Sequence, residues 1–364
     1  MKIGINCKNI QGSYGGVIAF ARSLEKYLTG KGDSLVYDLR DDDIDLILIT
    51  AYATGGAASY SYVDAWAYKL KHPNTIIVLR VNECDERKNT DYMNDLLIKI
   101  ASKCDYIVYI ASWLKPLLEA QGLNKTIPSS VILNGADSRI FNQENKEFWN
   151  GKDKLRIVTH HWGGNFMKGH DIYQKLDDLL SEKNYHGKFE FTFIGNIPKN
   201  LRYKNTRLIP SLHGNGLSEE LKRHHVYITA SRNEPAGMHH IEGAMCGLPL
   251  LYINSGALPE YCSGFGIEFE PANFEEKLDL MREEYNVWRN SLLSYRNTAD
   301  KMIAQYCTLF SGLYDEKERY RLKNPPNKFW KYPILAFLKA YSVFDSFLLK
   351  FKIAFNIYLK QKNG

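Results

Sequence analysis

Short, nearly continuous apolar runs recur along the chain, separated by stretches with apolar residues at three- and four-residue spacing. In the first third the runs are KIGIN (2–6), DLILIT (45–50), TIIVLRV (75–81), YIVYIAS (106–112) and SSVILNG (129–135). Helical patterns lie at 17–28, 92–102 and 113–121. Runs apolar on both faces with helices between them predict a parallel sheet covered on both sides. A polar stretch, NQENKEFWNGKDK (142–154), interrupts the pattern and predicts a domain boundary. The alternation then restarts with LRIVTHH, FEFTFIG, TRLIPS, VYITAS, LPLLYI and GIEFE, followed by helical segments at 274–281 and 288–313. Two similar α/β halves predict two Rossmann-like domains, 1–145 and 152–315, whose strand C-termini face each other across a cleft.

Composition narrows the class. The 364 residues suit about two domains with an appendage. The six cysteines are scattered without a C-x-x-C pair, which argues against a zinc ribbon or a disulfide framework and favours a reducing compartment. The N-terminus lacks a signal-peptide pattern, and no apolar run reaches the length of a spanning helix. The net charge of +6 is unevenly placed: residues 321–364 carry nine Lys/Arg against one acid, so residues 1–320 are formally −2. That excess sits on an aromatic-rich terminal segment, not on a face with base-reading chemistry, so nucleic acid is not an expected partner.

The stretch NEPAGMHHIEGAMCGLPLL (233–251) follows the strand VYITAS and a short loop. Glu234 is expected on the loop, and Glu242 about one and a half turns into a helix beginning at Gly237. Free amides at a helix start attract an anion, and a glycine there admits a phosphate close to the backbone. The two carboxylates could grip hydroxyl groups on either side of a diphosphate. Equally, Glu234 could serve the helix dipole and Glu242 could be a surface acid.

Residues 231–261 resemble the signature of the large retaining glycosyltransferase family 4, which has the GT-B fold. Ser231, Glu234, Pro235, Gly237, Glu242, Ala244, Gly247, Pro249, Gly256, Pro259 and Glu260 match at fixed spacing. The resemblance covers most of residues 1–315. It implies transfer of a sugar from a nucleotide-diphosphate sugar with retention at the anomeric carbon, with no obligatory metal or cofactor. It implies that Glu234 contacts the transferred sugar, that the amides near Gly237 and Met238 hold the diphosphate, and that Glu242 binds the ribose. Ala236 stands where the family often has a large aromatic, so an altered sugar pocket is expected.

Three further segments fit the same picture. In VTHHWGGNFMKGHDIY (158–173), Lys168 at a strand-to-helix turn can neutralise charge building on a leaving nucleotide, or it is an exposed loop lysine. It resembles the family's Lys-Gly, but the family's arginine five residues earlier is Gly163 here. His161 or Asn165 is the expected substitute. A metal shared by His160, His161, His239 and His240 is not expected, because adjacent side chains diverge; His239 is a candidate pocket-lining residue. Gly15 and Gly16 resemble the family's N-terminal glycine loop on the donor side, or form a plain turn. In RVNECDERKN (80–89), Arg80, Asn82 and Glu83 are acceptor-side candidates in place of the family's usual histidine, or belong to a solvated loop. Asn134, Gly135, Asp137 and Phe141 match the family's segment before the linker and are read as structural.

The tail, 321–364, places Ile334, Phe337, Leu338, Tyr341, Phe344, Leu348, Phe351 and Phe355 at helical spacing, with Lys339, Ser342, Ser346 and Lys350 on the other side. A basic amphipathic helix over 328–362, lying on an anionic membrane surface, is predicted. The alternative is a helix packed on the body with its lysines outward. Together these features predict a cytoplasmic hexosyltransferase held at the inner face of the plasma membrane, with a saccharide or lipid-linked acceptor, as in bacterial envelope polysaccharide biosynthesis. A nucleotide-sugar epimerase or phosphorylase, or a non-catalytic sugar-nucleotide-binding protein at the membrane, would share much of this pattern. The absence of a G-x-G-x-x-G fingerprint disfavours hydride transfer.

Overall fold

The computed structural model describes residues 1–8, 16–52 and 57–362, without the side chains of Lys328 and 356–362. The chain forms two units, 1–132 with 302–364, and 133–301. Each contains a six-stranded, wholly parallel sheet, as the alternating pattern predicts.

The first unit contains β1 (Lys2–Ile5), β2 (Ser34–Val36), β3 (Leu46–Ile49), β4 (Ile76–Val81), β5 (Tyr106–Tyr109) and β6 (Ser129–Val131), in the order β2-β1-β3-β4-β5-β6. Every residue of β3 and β4 is buried, which is why these strands read as unbroken apolar runs. The Gly16–Thr29 helix covers one face through Phe20, Ala21, Leu24 and Leu28. Met302, Ile303, Tyr306, Phe310 and Leu313 of the Ala299–Asp315 helix complete the same core. Residues 302–315, expected in the second domain, therefore belong to the first unit. The order of strands reverses at β1, where Asn6 bridges to the chain beyond β3: its Oδ1 accepts from the amides of Thr50 (2.8 Å) and Ala51 (3.0 Å).

The tail helix (Lys328–Lys362) packs on the Tyr62–Lys71 helix, and side-chain hydrogen bonds are among the contacts. Ser342 Oγ lies 2.8 Å from Ser61 Oγ, and Tyr62 Oη donates to Asp345 (3.0 Å). Asp345 also pairs with Lys99 at 2.5 Å, and Lys99 stands over the Tyr341 ring. Trp330, Phe337, Phe344, Phe347, Phe351 and Phe355 form a separate exposed stripe, beside exposed Lys339, Lys350 and Lys352. The helix thus docks with Ser342 and Asp345 in contact and with Ile334, Leu335, Leu338, Tyr341 and Leu349 partly buried, and it shows the aromatics of the stripe outward, which neither sequence expectation for its orientation described in full. No helix among the described residues is long and apolar enough to cross a membrane.

The second unit contains β7 (Leu155–His161), β8 (Phe189–Gly195), β9 (Arg207–Ile209), β10 (Val226–Thr229), β11 (Leu250–Ile253) and β12 (Gly266–Phe269), ordered β12-β11-β10-β7-β8-β9. The 142–154 stretch, read from the sequence as a boundary, packs within this unit. Buried Lys146 reaches the carbonyls of Glu147, Lys222 and His224, and the Trp149 ring meets Tyr285 edge-on. The single helix expected over 288–313 is instead Tyr285–Ser291, a 3-10 turn at Leu292–Ser294, and then Ala299–Asp315. The break is fixed from outside: Ala136 N–H donates to Asn297 O (3.0 Å), and Ala299 N–H donates to Ala136 O (2.7 Å).

Candidate functional site

In a doubly wound sheet, ligand chemistry gathers where the strand order reverses, beyond the strands' C-terminal ends. In the second unit that point lies between β7 and β10. The loop after β7 carries Lys168, and the loop after β10 carries Glu234. The two meet: Lys168 Nζ lies 2.9 Å from Glu234 Oε2, with both side chains nearly buried. Ser231 Oγ donates to the same oxygen (2.7 Å), and His239 Nε2 approaches it at 3.7 Å. The loops are also joined by the Arg232–Asp171 ion pair, and Arg232 N–H donates to Met167 O (2.8 Å).

Backbone geometry holds Glu234 in place. Gly256 has φ +58°, and a Cβ there would stand 2.5 Å from the backbone N and O of Glu234, so only glycine fits. Ala257 N–H donates to Glu234 O (2.8 Å). Asn134 Nδ2 donates to Ala236 O (2.9 Å), and Asn134 N–H donates to Tyr261 Oη (2.6 Å), which agrees with a structural role for that segment. A Cβ at Gly237 would meet the His239 ring at 2.7 Å and Glu234 Oε1 at 3.0 Å.

The helix after this loop is His239–Met245, with Met238 at its cap. It starts two residues later than expected, so Glu242 lies in its first turn instead of beyond it. The amides at such a start have no partner within the helix. Glu242 does not stand alone: its Oε2 is 2.8 Å from His160 Nε2 at the end of β7. Tyr227 Oη links His160 Nδ1 (3.1 Å) and His239 Nδ1 (3.4 Å). His161 points elsewhere, with Nε2 2.8 Å from Tyr173 Oη. Burial, reinforced by neighbouring cations, holds His161 and His240 well below the ordinary histidine range, and pushes His239 down to about 4. These rings are neutral near pH 7. Among the described residues, no three His, Cys, Asp or Glu side chains are disposed to hold one metal ion.

Asn165, a suggested substitute for the missing arginine, caps the Phe166–Lys168 turn by accepting from Met167 N–H (2.9 Å). His161 is buried behind the loop. Gly163 has open space where its Cβ would be. Of the first-unit candidates, Gly15 lies outside the described residues, and Gly16 opens a helix. Arg80 is buried; its Nε donates to Tyr306 Oη (3.0 Å), and its guanidinium stacks over Phe20 at 4.5 Å. Asn82 Nδ2 donates to Thr50 O (3.1 Å), and Glu83 pairs with Lys88 at 2.5 Å. Sequence reasoning gave no role to Ser231, Tyr227 or the pairing of His160 with Glu242. The end-of-strand position of His160 was the available signal.

Two parallel six-stranded sheets, each doubly wound, define the GT-B class, the fold of a large group of glycosyltransferases. Solved structures with this fold include a glycosyltransferase from Rickettsia africae, at TM-score 0.59 and 14% identity over 86% of this chain and 98% of that one. HepE of Anabaena, solved with UDP, matches at TM-score 0.62 and 10% identity over 86% of this chain and all of that one. The pneumococcal O-GlcNAc transferase GtfA, in complex with UDP and GlcNAc, matches at TM-score 0.55 and 14% identity over 82% of this chain and 61% of that one. No family model matches the sequence, and no curated protein is similar to it in sequence.

Proposed function

We propose that this protein transfers a sugar from a nucleotide-diphosphate sugar to a saccharide acceptor, with retention at the anomeric carbon. The observation that carries this reading is the Lys168–Glu234 pair beside the Gly237 and Met238 amides, at the reversal point of the second sheet. Without ligand the two charges satisfy each other. With donor bound, Lys168 turns to the diphosphate and Glu234 to the hydroxyls of the transferred sugar. Catalysis then comes from positioning and from stabilising the departing diphosphate. Lys168 and the two amides neutralise its charge as the glycosidic bond breaks. Glu242, oriented by His160, accepts from the ribose hydroxyls. Arg80, Asn82, Glu83 and Gly16 remain acceptor-side or loop candidates on the first unit.

The acceptor we propose is lipid-linked. The outward aromatic stripe of the tail helix, with lysines beside it, suits the interface of an anionic bilayer and supports a peripheral location there. UDP in the HepE and GtfA structures supports a uridine nucleotide as the first donor to try. The test incubates UDP-, GDP- and ADP-sugars with a saccharide on a lipid pyrophosphate and reads product mass and anomeric configuration. Product is expected with wild type and nearly lost in Glu234→Ala and Lys168→Ala. Full activity in both variants would remove those residues from the mechanism. Consumption of donor without acceptor would favour an epimerase, and binding without turnover a non-catalytic role.

A further inference from the structure

Trp162 directly follows the last residue of β7, and its side chain is 65% exposed. An exposed indole at the C-terminal end of a strand next to the reversal point of a doubly wound sheet is placed where such sheets gather ligands. The backbone that carries this ring is constrained. Asn196, just after β8, donates from Nδ2 to Trp162 O at 2.7 Å. Gly164 runs against the 196–197 backbone, where a Cβ would stand 3.1 Å from Ile197 carbonyl atoms. The indole lies 4.9 Å from the ring of His213, on the loop after β9, at an interplanar angle of 50°. On that same loop the hydroxyl of Ser211 is buried with no hydrogen-bond partner among the described residues. The loops after β7 and β9 thus deliver an exposed indole, an exposed imidazole and an unsatisfied hydroxyl to one stretch of the sheet's C-terminal edge, and Asn196 after β8 ties down the backbone at Trp162.

Strand order converts this into a direction. Along the edge, β10 contributes Glu234 and the helix bearing Glu242, β7 contributes His160, and β8 and β9 contribute the surroundings of Trp162. Sugar and diphosphate at Lys168–Glu234, and ribose at Glu242–His160, leave the next position outward from β10 for the group on the far side of the ribose. We infer that Trp162, with His213 beside it, is the stacking platform for the nucleobase of the donor, and that Ser211 reads an edge of that base. This rests on the nucleotide-sugar reading proposed above. A flat aromatic face suits a heterocycle because every base presents a π-face, while the hydroxyl can choose among base edges.

Isothermal titration with UDP, GDP and ADP, and separately with inorganic pyrophosphate, tests the assignment in the full chain. With the nucleotide that binds wild type best, Trp162→Ala is expected to weaken binding by about 5- to 100-fold. Trp162→Phe should stay within about threefold. Pyrophosphate should bind wild type and Trp162→Ala alike, whereas Lys168→Ala should weaken both ligands. Ser211→Ala should narrow the preference among the three nucleotides. Trp162 is exposed, so an unchanged melting temperature is expected and separates a binding defect from a folding one. Unchanged nucleotide affinity in Trp162→Ala would overturn the platform while leaving the nucleotide-sugar reading intact. So would a defect confined to the KM of the saccharide acceptor, which would place the indole against a sugar. If no nucleotide binds wild type, the parent reading fails and the platform with it.

Discussion

The ammonium of Lys168 lies 2.9 Å from the carboxylate of Glu234, and the two side chains come from loops 66 residues apart. Both are nearly buried, and each is an ion-pair partner of the other. Removing one partner takes the opposite charge away from the other, which stays nearly buried. Lys168→Ala and Glu234→Ala are each expected to cost on the order of 3 kcal/mol of stability in urea unfolding. The double variant should cost less than the two added together. In the transfer assay each should lower kcat by roughly 10²- to 10³-fold. A single variant with wild-type stability and rate would show that the contact carries neither role.

The pairing of His160 with Glu242 (2.8 Å) leads to a second expectation. His160→Ala and Glu242→Gln should each raise the donor KM about tenfold, equivalent to about 1.4 kcal/mol. Their effects should not multiply in the double variant, because both act on one contact. A deoxyribose diphosphate nucleotide should bind wild type less well than its ribose counterpart, and the variants should discriminate less. Strictly multiplicative KM effects would separate the two residues.

A third expectation concerns acid. His239 and His170 are pushed down to about 4, chiefly by burial, and His161 and His240 lie well below 6.5. Above about pH 7.5 these groups are neutral in both folded and unfolded chains and contribute no pH slope. Between about 6.5 and 4 the unfolded chain takes up protons that the folded chain refuses, so stability falls with falling pH. Melting temperature measured from pH 7.5 to 4.5 should decline across that window, and His170→Asn should decline less steeply. A flat profile would mean that these rings protonate in place.

For the tail, Phe337→Ser, Phe344→Ser and Phe351→Ser combined should reduce sedimentation with phosphatidylglycerol vesicles by at least about tenfold, given about 1.5–3 kcal/mol for burying one such side chain. Pure phosphatidylcholine vesicles should retain wild type less well, because the exposed lysines gain nothing there. Ser342, Asp345 and Lys99 are left intact, so docking of the helix should persist. Equal binding to both lipids by wild type would remove the electrostatic component.

Much of this architecture was legible in the apolar pattern. LRIVTHH and FEFTFIG coincide with β7 and β8 residue for residue, since both are buried along almost their whole length. β2 was missed: SLV is three residues long and none of them is buried. The Tyr62–Lys71 helix was not singled out, although Ser61 and Asp64 form a capping box at its start. The break after Leu292 comes from residues 135–136 pairing with 297–299, a tertiary contact no local pattern encodes. Its local trace is Thr298, whose Oγ1 accepts from Lys301 N–H at 3.2 Å. In the site, the spaced glutamates and glycines stood out because they lie within one loop and helix. The contact of His160 with Glu242 did not, because its partner is 82 residues away.

A rod fastened to its carrier on one side and bearing six outward aromatic rings along another is chemically a surfactant. In dilute buffer such a molecule has only its own kind with which to share that side, so copies should self-associate as concentration rises, and a mild detergent should disperse them. Handling behaviour alone, measured by light scattering with and without detergent, would therefore report on the seat of the helix before any substrate is known.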